Sequence, residues 1–232
     1  MDNKRKSPAR PRGLLIFDLD GTLFRGDRGT ARAVWETCDR HGLPRPSADA
    51  INGYFGRPVH EFHDWFRGMA PGRDMTLFLE EMDRREFDLV AETGELYPGV
   101  REMLERFRRE FRLAICSNGS KIYIDTVLES RGITGLFDRV RHRERPEESK
   151  PEMAREVLGE IPARPAVLVG DRRDDFRAAR DNGIFFIGSA YGFGAPGEID
   201  GADAVVREAR EIPAAVERLL AGFAPDANTA RP

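Results

Sequence analysis

Leu14-Leu15-Ile16-Phe17-Asp18-Leu19-Asp20-Gly21-Thr22 is the stretch that decides the fold of this chain. Four apolar residues follow Gly13 without a break and stop at a carboxylate, which suits a strand buried on both faces of a parallel sheet. Similar runs recur at Leu113-Ala114-Ile115-Cys116 and Ala166-Val167-Leu168-Val169, and two further strands are expected at Ile184-Phe185-Phe186-Ile187 and Ala204-Val205-Val206. Between the runs, apolar residues fall at helical spacing over 100–110, 122–131, 152–161, 175–182 and 212–220. Pro151 and Pro213 stand near the first turns of two of these helices, where the missing amide costs nothing. Strand alternates with helix, so the expected fold is α/β: a doubly wound, Rossmann-like, mostly parallel sheet.

One region breaks the alternation. From Gly26 to Leu96 the pattern is helical, over 30–41, 58–67 and 75–91, with no convincing strand. That is too long for a connection inside a compact sheet, so an inserted all-helical cap is expected at 25–96, on a core made of 13–24 and 97–223. Residues 1–12 read as a disordered basic tail and 224–232 as a loose C-terminal tail.

The 232 residues suffice for a substantial core, and about a third of them are charged. A formal charge of -3 with both signs interspersed provides no field to recruit nucleic acid or an anionic membrane. No run of about 18 apolar residues occurs, and no secretory leader is evident. Cys38 and Cys116 lack ligand-like or redox spacing and read as buried thiols in a reducing cytoplasm. Expected partners are therefore small molecules, with the chain a monomer or homodimer. Lysine is scarce: only Lys4, Lys6, Lys121 and Lys150.

In open parallel sheets ligands bind beyond the carboxyl ends of the strands, where turn amides and helix N-termini converge. Alternation along the extended chain points Asp18 and Asp20 in similar directions, and two such close carboxylates suit a divalent cation. The second run ends in Ser117-Asn118-Gly119-Ser120, offering a hydroxyl and turn amides to an oxyanion. Lys150-Pro151 opens a helix, and the third run ends in Gly170-Asp171 with Asp174 and Asp175 close behind.

Asp18-Leu19-Asp20-Gly21-Thr22-Leu23, Ser117-Asn118, Lys150-Pro151 and Gly170-Asp171-Arg172-Arg173-Asp174-Asp175 together resemble the four ordered motifs of the haloacid dehalogenase superfamily. The helical insertion between the first two is similar to its phosphoglycolate-phosphatase-like branch. The resemblance implies a magnesium-dependent phosphatase of small phosphorylated metabolites. It implies Asp18 as nucleophile, Asp20 as general acid and base, and Ser117 and Lys150 as holders of the phosphoryl oxygens. It implies a metal site from Asp18, Asp171 and Asp20 (through its backbone carbonyl), with Asp175 orienting the metal shell or Lys150 and Asp174 the competing candidate. Thr22 and Asn118 are implied near the substrate, Thr22 fixing its loop, and Arg57 is implied as a substrate contact from a cap loop.

A second acid at Asp20 disfavours dehalogenation, and the absence of lysine from Phe24 to Leu96 closes a Schiff-base route in the cap. A sugar-phosphate mutase of the β-phosphoglucomutase type, a pyrophosphatase or nucleotidase specificity, and a binding protein that has lost catalysis are the remaining alternatives. Phe24-Arg25-Gly26 and Arg172-Arg173 depart from the common pattern and bear on which substrate is taken. His60 and His63, three apart without a third ligand, read as surface or packing residues.

Overall fold

The computed structural model describes residues 11–222; the two expected tails fall outside them, save Pro11 and Arg12. Six parallel strands form the main sheet: β1 (Leu14–Phe17), β4 (Arg112–Ser117), β5 (Arg139–His142), β6 (Ala166–Gly170), β7 (Phe185–Ser189) and β8 (Ala204–Val206). Their spatial order is β5-β4-β1-β6-β7-β8, which places β1 centrally and reverses the direction of winding beside it. Side-chain alternation divides β1 between two cores. Leu15 and Phe17 join Leu113, Ile115, Val167 and Val169 on one face, whereas Leu14 and Ile16 join Ala114, Leu168 and Phe186 on the other.

Helices α5 (Val100–Phe107), α6 (Lys121–Ser130) and α9 (Ile212–Ala221) cover the first face. Helices α7 (Lys150–Glu160) and α8 (Arg173–Asp181) cover the second. The doubly wound α/β fold expected from the apolar runs is the fold observed. Strand β5 was not expected, because Arg-Val-Arg-His carries one apolar residue; as an edge strand it pairs only with β4 and needs less burial.

The insertion is α1 (Asp27–His41), α2 (Ala48–Asn52), α3 (Val59–Met69) and α4 (Thr76–Thr93). These helices close a core of their own around Val34, Phe62, Phe66, Phe78 and Met82. The chain leaves and re-enters the sheet domain through a two-residue antiparallel ribbon, β2 (Phe24–Arg25) with β3 (Glu95–Leu96). So short a ribbon has no periodicity by which the sequence could show it. Arg131, just past α6, donates to the carbonyls of Ala91 and Gly94 and fastens the return crossing.

Candidate active site

Phosphoryl-type chemistry requires several polar groups at one point, and the carboxyl ends of β1, β4 and β6 provide it. Asp18 follows β1 and Asp171 follows β6, while Ser117 ends β4. Lys150 arrives from α7, whose start is held by a capping box between Ser149 and Glu152, with Pro151 in the first turn. Asp18, Lys150 and Asp171 are each 1% exposed and Asp175 is fully buried. Lys150 Nζ donates to Asp18 Oδ1 at 2.7 Å and lies 2.6 Å from Asp175 Oδ1. Burial alone would depress the lysine, but Asp175 and Asp18 together outweigh it and hold the ammonium charged.

One buried cation faces an excess of acids. Burial, with Asp18 and Asp175 adding to it, drives the Asp171 carboxyl well above its ordinary range. Burial likewise raises Asp175 to about 7 despite the opposing pull of Lys150. Asp171 Oδ2 accepts from the amides of Phe193 at 2.7 Å and Gly194 at 3.1 Å, but its Oδ1 has no protein partner, and neither has Asp18 Oδ2. Ligand atoms of Asp18, Asp171 and Asp175 lie within 4.8 Å of one another. Unpartnered, fully buried carboxylate oxygens in an all-oxygen cluster fit a hard divalent cation. The approach is close enough that Gly21, at φ +78°, could carry no side chain: a Cβ there would stand 2.3 Å from Asp171 Oδ2.

The two acids of the fourth motif now separate. Asp175 faces Lys150 with Oδ1 and accepts the Arg172 amide at 3.0 Å with Oδ2, whereas Asp174 stands outside the cluster, 3.5 Å from Asn118 Nδ2. Asp20 accepts a 2.6 Å hydrogen bond from the Tyr123 hydroxyl. Burial raises its carboxyl to about 8, against the hydrogen bond from Tyr123 and with help from the charges of Asp18 and Glu86. Ser117 is buried, its Oγ accepting from the Gly119 amide at 3.3 Å. Thr22 is wholly buried, its carbonyl taking a 2.7 Å bond from Tyr191 and its hydroxyl lacking a protein partner.

Asn118 serves the cap. Its Nδ2 donates to Gly56 O at 2.8 Å, and its Oδ1 accepts from Arg143 at 2.7 Å. Arg172 does still more. This buried guanidinium donates to the carbonyl of Phe55 through Nε at 2.9 Å and Nη2 at 2.6 Å, and to Gly53 at 3.1 Å, while Nη1 meets Glu198 at 2.9 Å. Phe55 also stacks on Phe193, with centroids 4.6 Å apart. The sheet domain thus grips the backbone of cap residues 53–56. Arg57, next in line, is half-exposed, rests over the Tyr54 ring at 5.5 Å and faces Glu61 at 3.7 Å. His63 pairs with Asp83 at 2.9 Å.

The sequence marks neither Tyr123 nor Glu86, nor what Arg172 grips. An acid two residues past a strand gives no hint which helix will hydrogen-bond it. Arg172 did carry a signal, a long cation where a small residue is common, but not its target.

Comparison with known proteins agrees with this construction. A family model described as haloacid dehalogenase-like hydrolase matches residues 15–189. The phosphoglycolate phosphatase of Vibrio parahaemolyticus is 30% identical over 196 residues, covering 78% of this chain and 84% of that protein. A 5'-nucleotidase of Pseudomonas aeruginosa is 26% identical over 198 residues, covering 80% and 86%. A haloacid dehalogenase-like hydrolase from Streptococcus pneumoniae superposes with a TM-score of 0.75 at 22% identity, covering 87% of this chain and 97% of its own. Fold and homology together define a phosphoric monoester hydrolase. The chain belongs to the haloacid dehalogenase-like hydrolases, in the phosphoglycolate-phosphatase-like branch. Among the described residues no helix is long and apolar enough to cross a membrane.

The latch at Arg172 makes a prediction. Arg172→Ala removes charge-assisted bonds worth ~1.5–3 kcal/mol each from the cap loop. We expect kcat/KM to fall about 10- to 100-fold and hydrogen exchange to quicken at amides 52–57 more than in the sheet. Unchanged exchange in that loop would show that the latch does not hold it.

Proposed function

We propose that this protein is a magnesium-dependent phosphatase that hydrolyses a small phosphorylated metabolite through an aspartyl-phosphate on Asp18. The observation that supports this most is the buried set of Asp18, Lys150 and Asp171, with one oxygen of each aspartate lacking a protein partner.

The Asp18 carboxylate attacks phosphorus as the bond to the leaving oxygen breaks. Asp20, its pKa raised to about 8, still holds a proton at neutral pH and delivers it to that oxygen. Now a carboxylate, Asp20 takes a proton from water, which attacks the same phosphorus and frees inorganic phosphate and Asp18. Lys150 balances negative charge on the phosphoryl oxygens, and Ser117 offers its hydroxyl to one of them. Asp175 acts through Lys150, holding the ammonium toward Asp18. Side chains of Asp18 and Asp171, with the backbone carbonyl of Asp20, would hold magnesium, which would neutralise charge on the phosphoryl group. The cap, latched through Arg172 and Asn118, keeps bulk water from the site.

The test is phosphate release from a panel of phosphorylated metabolites, with magnesium and with chelator. Release that requires the metal is expected; turnover undiminished by chelation would refute the metal-dependent reading.

Magnesium should also protect the fold, and more strongly at pH 8 than at pH 6. Carboxyls with folded pKa values raised above their unfolded values destabilise the metal-free protein progressively as pH rises through the folded values. For Asp175 and Asp20 this window closes at about 7 and about 8. Protons compete with the metal for these buried carboxyls, and they do so more strongly at pH 6 than at pH 8. At a hundredfold excess over its dissociation constant, magnesium should add ~2.7 kcal/mol, or roughly 5–10 °C in melting temperature. Calorimetric scans at both pH values check it, and a larger shift at pH 6 would contradict the charge argument.

A further inference from the structure

Between cap and sheet domain, directly beside Asp20, lies a cavity of about 310 Å³. Asp20 is the group placed to protonate the leaving oxygen, so whatever leaves occupies this cavity. Much of its wall is apolar and aromatic, from Ile51, Tyr54, Phe55, Phe62 and Phe87. A two-carbon leaving group would touch little of that surface, whereas a planar ring would lie against it.

The charge of the wall is equally informative. Its carboxylates are Asp20, Asp83 and Glu86, set against one guanidinium, Arg57, and the imidazole of His63. Both already face acids, Arg57 with Glu61 at 3.7 Å and His63 with Asp83 at 2.9 Å. Glu86, from α4, is held in place by Thr30 Oγ1, which donates to its Oε1 at 2.6 Å. No cation pairs with Glu86 among the described residues. Burial lifts its carboxyl to about 7, against the Thr30 hydrogen bond and aided by Asp83. An anionic leaving group would add charge beside Glu86, which no cation pairs among the described residues, and a hydrogen-bond donor would meet an acceptor.

Resting on the phosphatase reading, we infer that the substrate is a phosphomonoester of a ring-bearing, uncharged or cationic alcohol with hydrogen-bond donors. Glu86 is its specificity-determining acceptor. Nucleoside 5'-monophosphates are the accessible example, with ribose hydroxyls to donate and a base to lie against the aromatic wall. Esters of carboxylate-bearing alcohols such as glycolate are selected against.

The experiment compares adenosine 5'-monophosphate, phosphoglycolate and 4-nitrophenyl phosphate on the full chain with magnesium. For the wild type, kcat/KM for the nucleotide should exceed that for phosphoglycolate at least tenfold. In Glu86→Gln, which keeps an oxygen for Thr30 but sheds the charge, that ratio should fall at least fivefold, mainly because phosphoglycolate improves. A residue that merely supported the fold would move both esters together. Equal or better turnover of phosphoglycolate by the wild type, or an unaltered ratio in Glu86→Gln, overturns the inference. If even 4-nitrophenyl phosphate yields no phosphate, the phosphatase reading falls instead. The preference is then read from calorimetric binding to Asp18→Asn, where at least tenfold tighter binding of the nucleotide supports it and tighter binding of phosphoglycolate overturns it.

Discussion

Asp18→Asn should reduce magnesium-dependent phosphate release by at least about a thousandfold while leaving the protein folded. The amide cannot act as the attacking carboxylate, and loss of a nucleophile removes the covalent route entirely. The fold should tolerate the change because Asn has nearly the same shape and its oxygen can still accept from Lys150, 2.7 Å away in the native protein. It also withdraws one negative charge from a cluster whose acids raise one another's pKa values. The melting temperature without metal should therefore hold or rise. Phosphate assays and thermal scans of the same preparation read both halves. Turnover within tenfold of wild type would remove Asp18 from its assigned role, and loss of the fold would show that its charge is structural.

Lys150→Met should have a comparable effect on turnover and a much larger one on stability. The ammonium is the charge partner of both Asp18 and Asp175, and the methionine fills similar space without charge. Removing one partner of a buried ion pair costs ~3–5 kcal/mol, since the acids left behind are neither solvated nor paired. Part of that cost can be avoided by protonation. Burial already raises Asp175 to about 7 against the pull of Lys150, so without the lysine it rises further. A carboxyl raised in the folded state is stabilising below its unfolded pKa, and that contribution is lost as pH climbs through the folded one. The deficit of the variant should accordingly be larger at pH 8 than at pH 6, as measured by urea midpoints at both. Equal deficits would mean that packing and not charge is what Lys150 contributes.

Much of this site could be read along the chain because its parts sit at strand ends and helix starts, where position in an element dictates direction. Asp18 and Asp171 each follow an unbroken apolar run, and Lys150 opens a helix marked by Ser149, Pro151 and Glu152. Asp174 and Asp175 were harder to separate. Both are adjacent acids at a helix start, and which one faces Lys150 depends on how α8 lies against β6. The structure turns Asp175 inward and leaves Asp174 beside Asn118.

The polar links between cap and sheet domain were not legible at all. Glu86 reads as one more charge on a helix, and Tyr123 as a partly apolar helix residue; only docking of α4 near α6 brings them to Asp20. Arg172 reaches Phe55, 117 positions away, through backbone carbonyls that have no residue identity to betray them. Local chemistry and periodicity act over a few residues, so the sequence alone determined the alternating α/β core, the helical insertion and the placing of acids at its strand ends. Contacts between distant segments depend on the path of the whole chain. Tertiary structure therefore decided how the cap is latched, which acid faces Lys150, and which side chains wall the cavity beside Asp20.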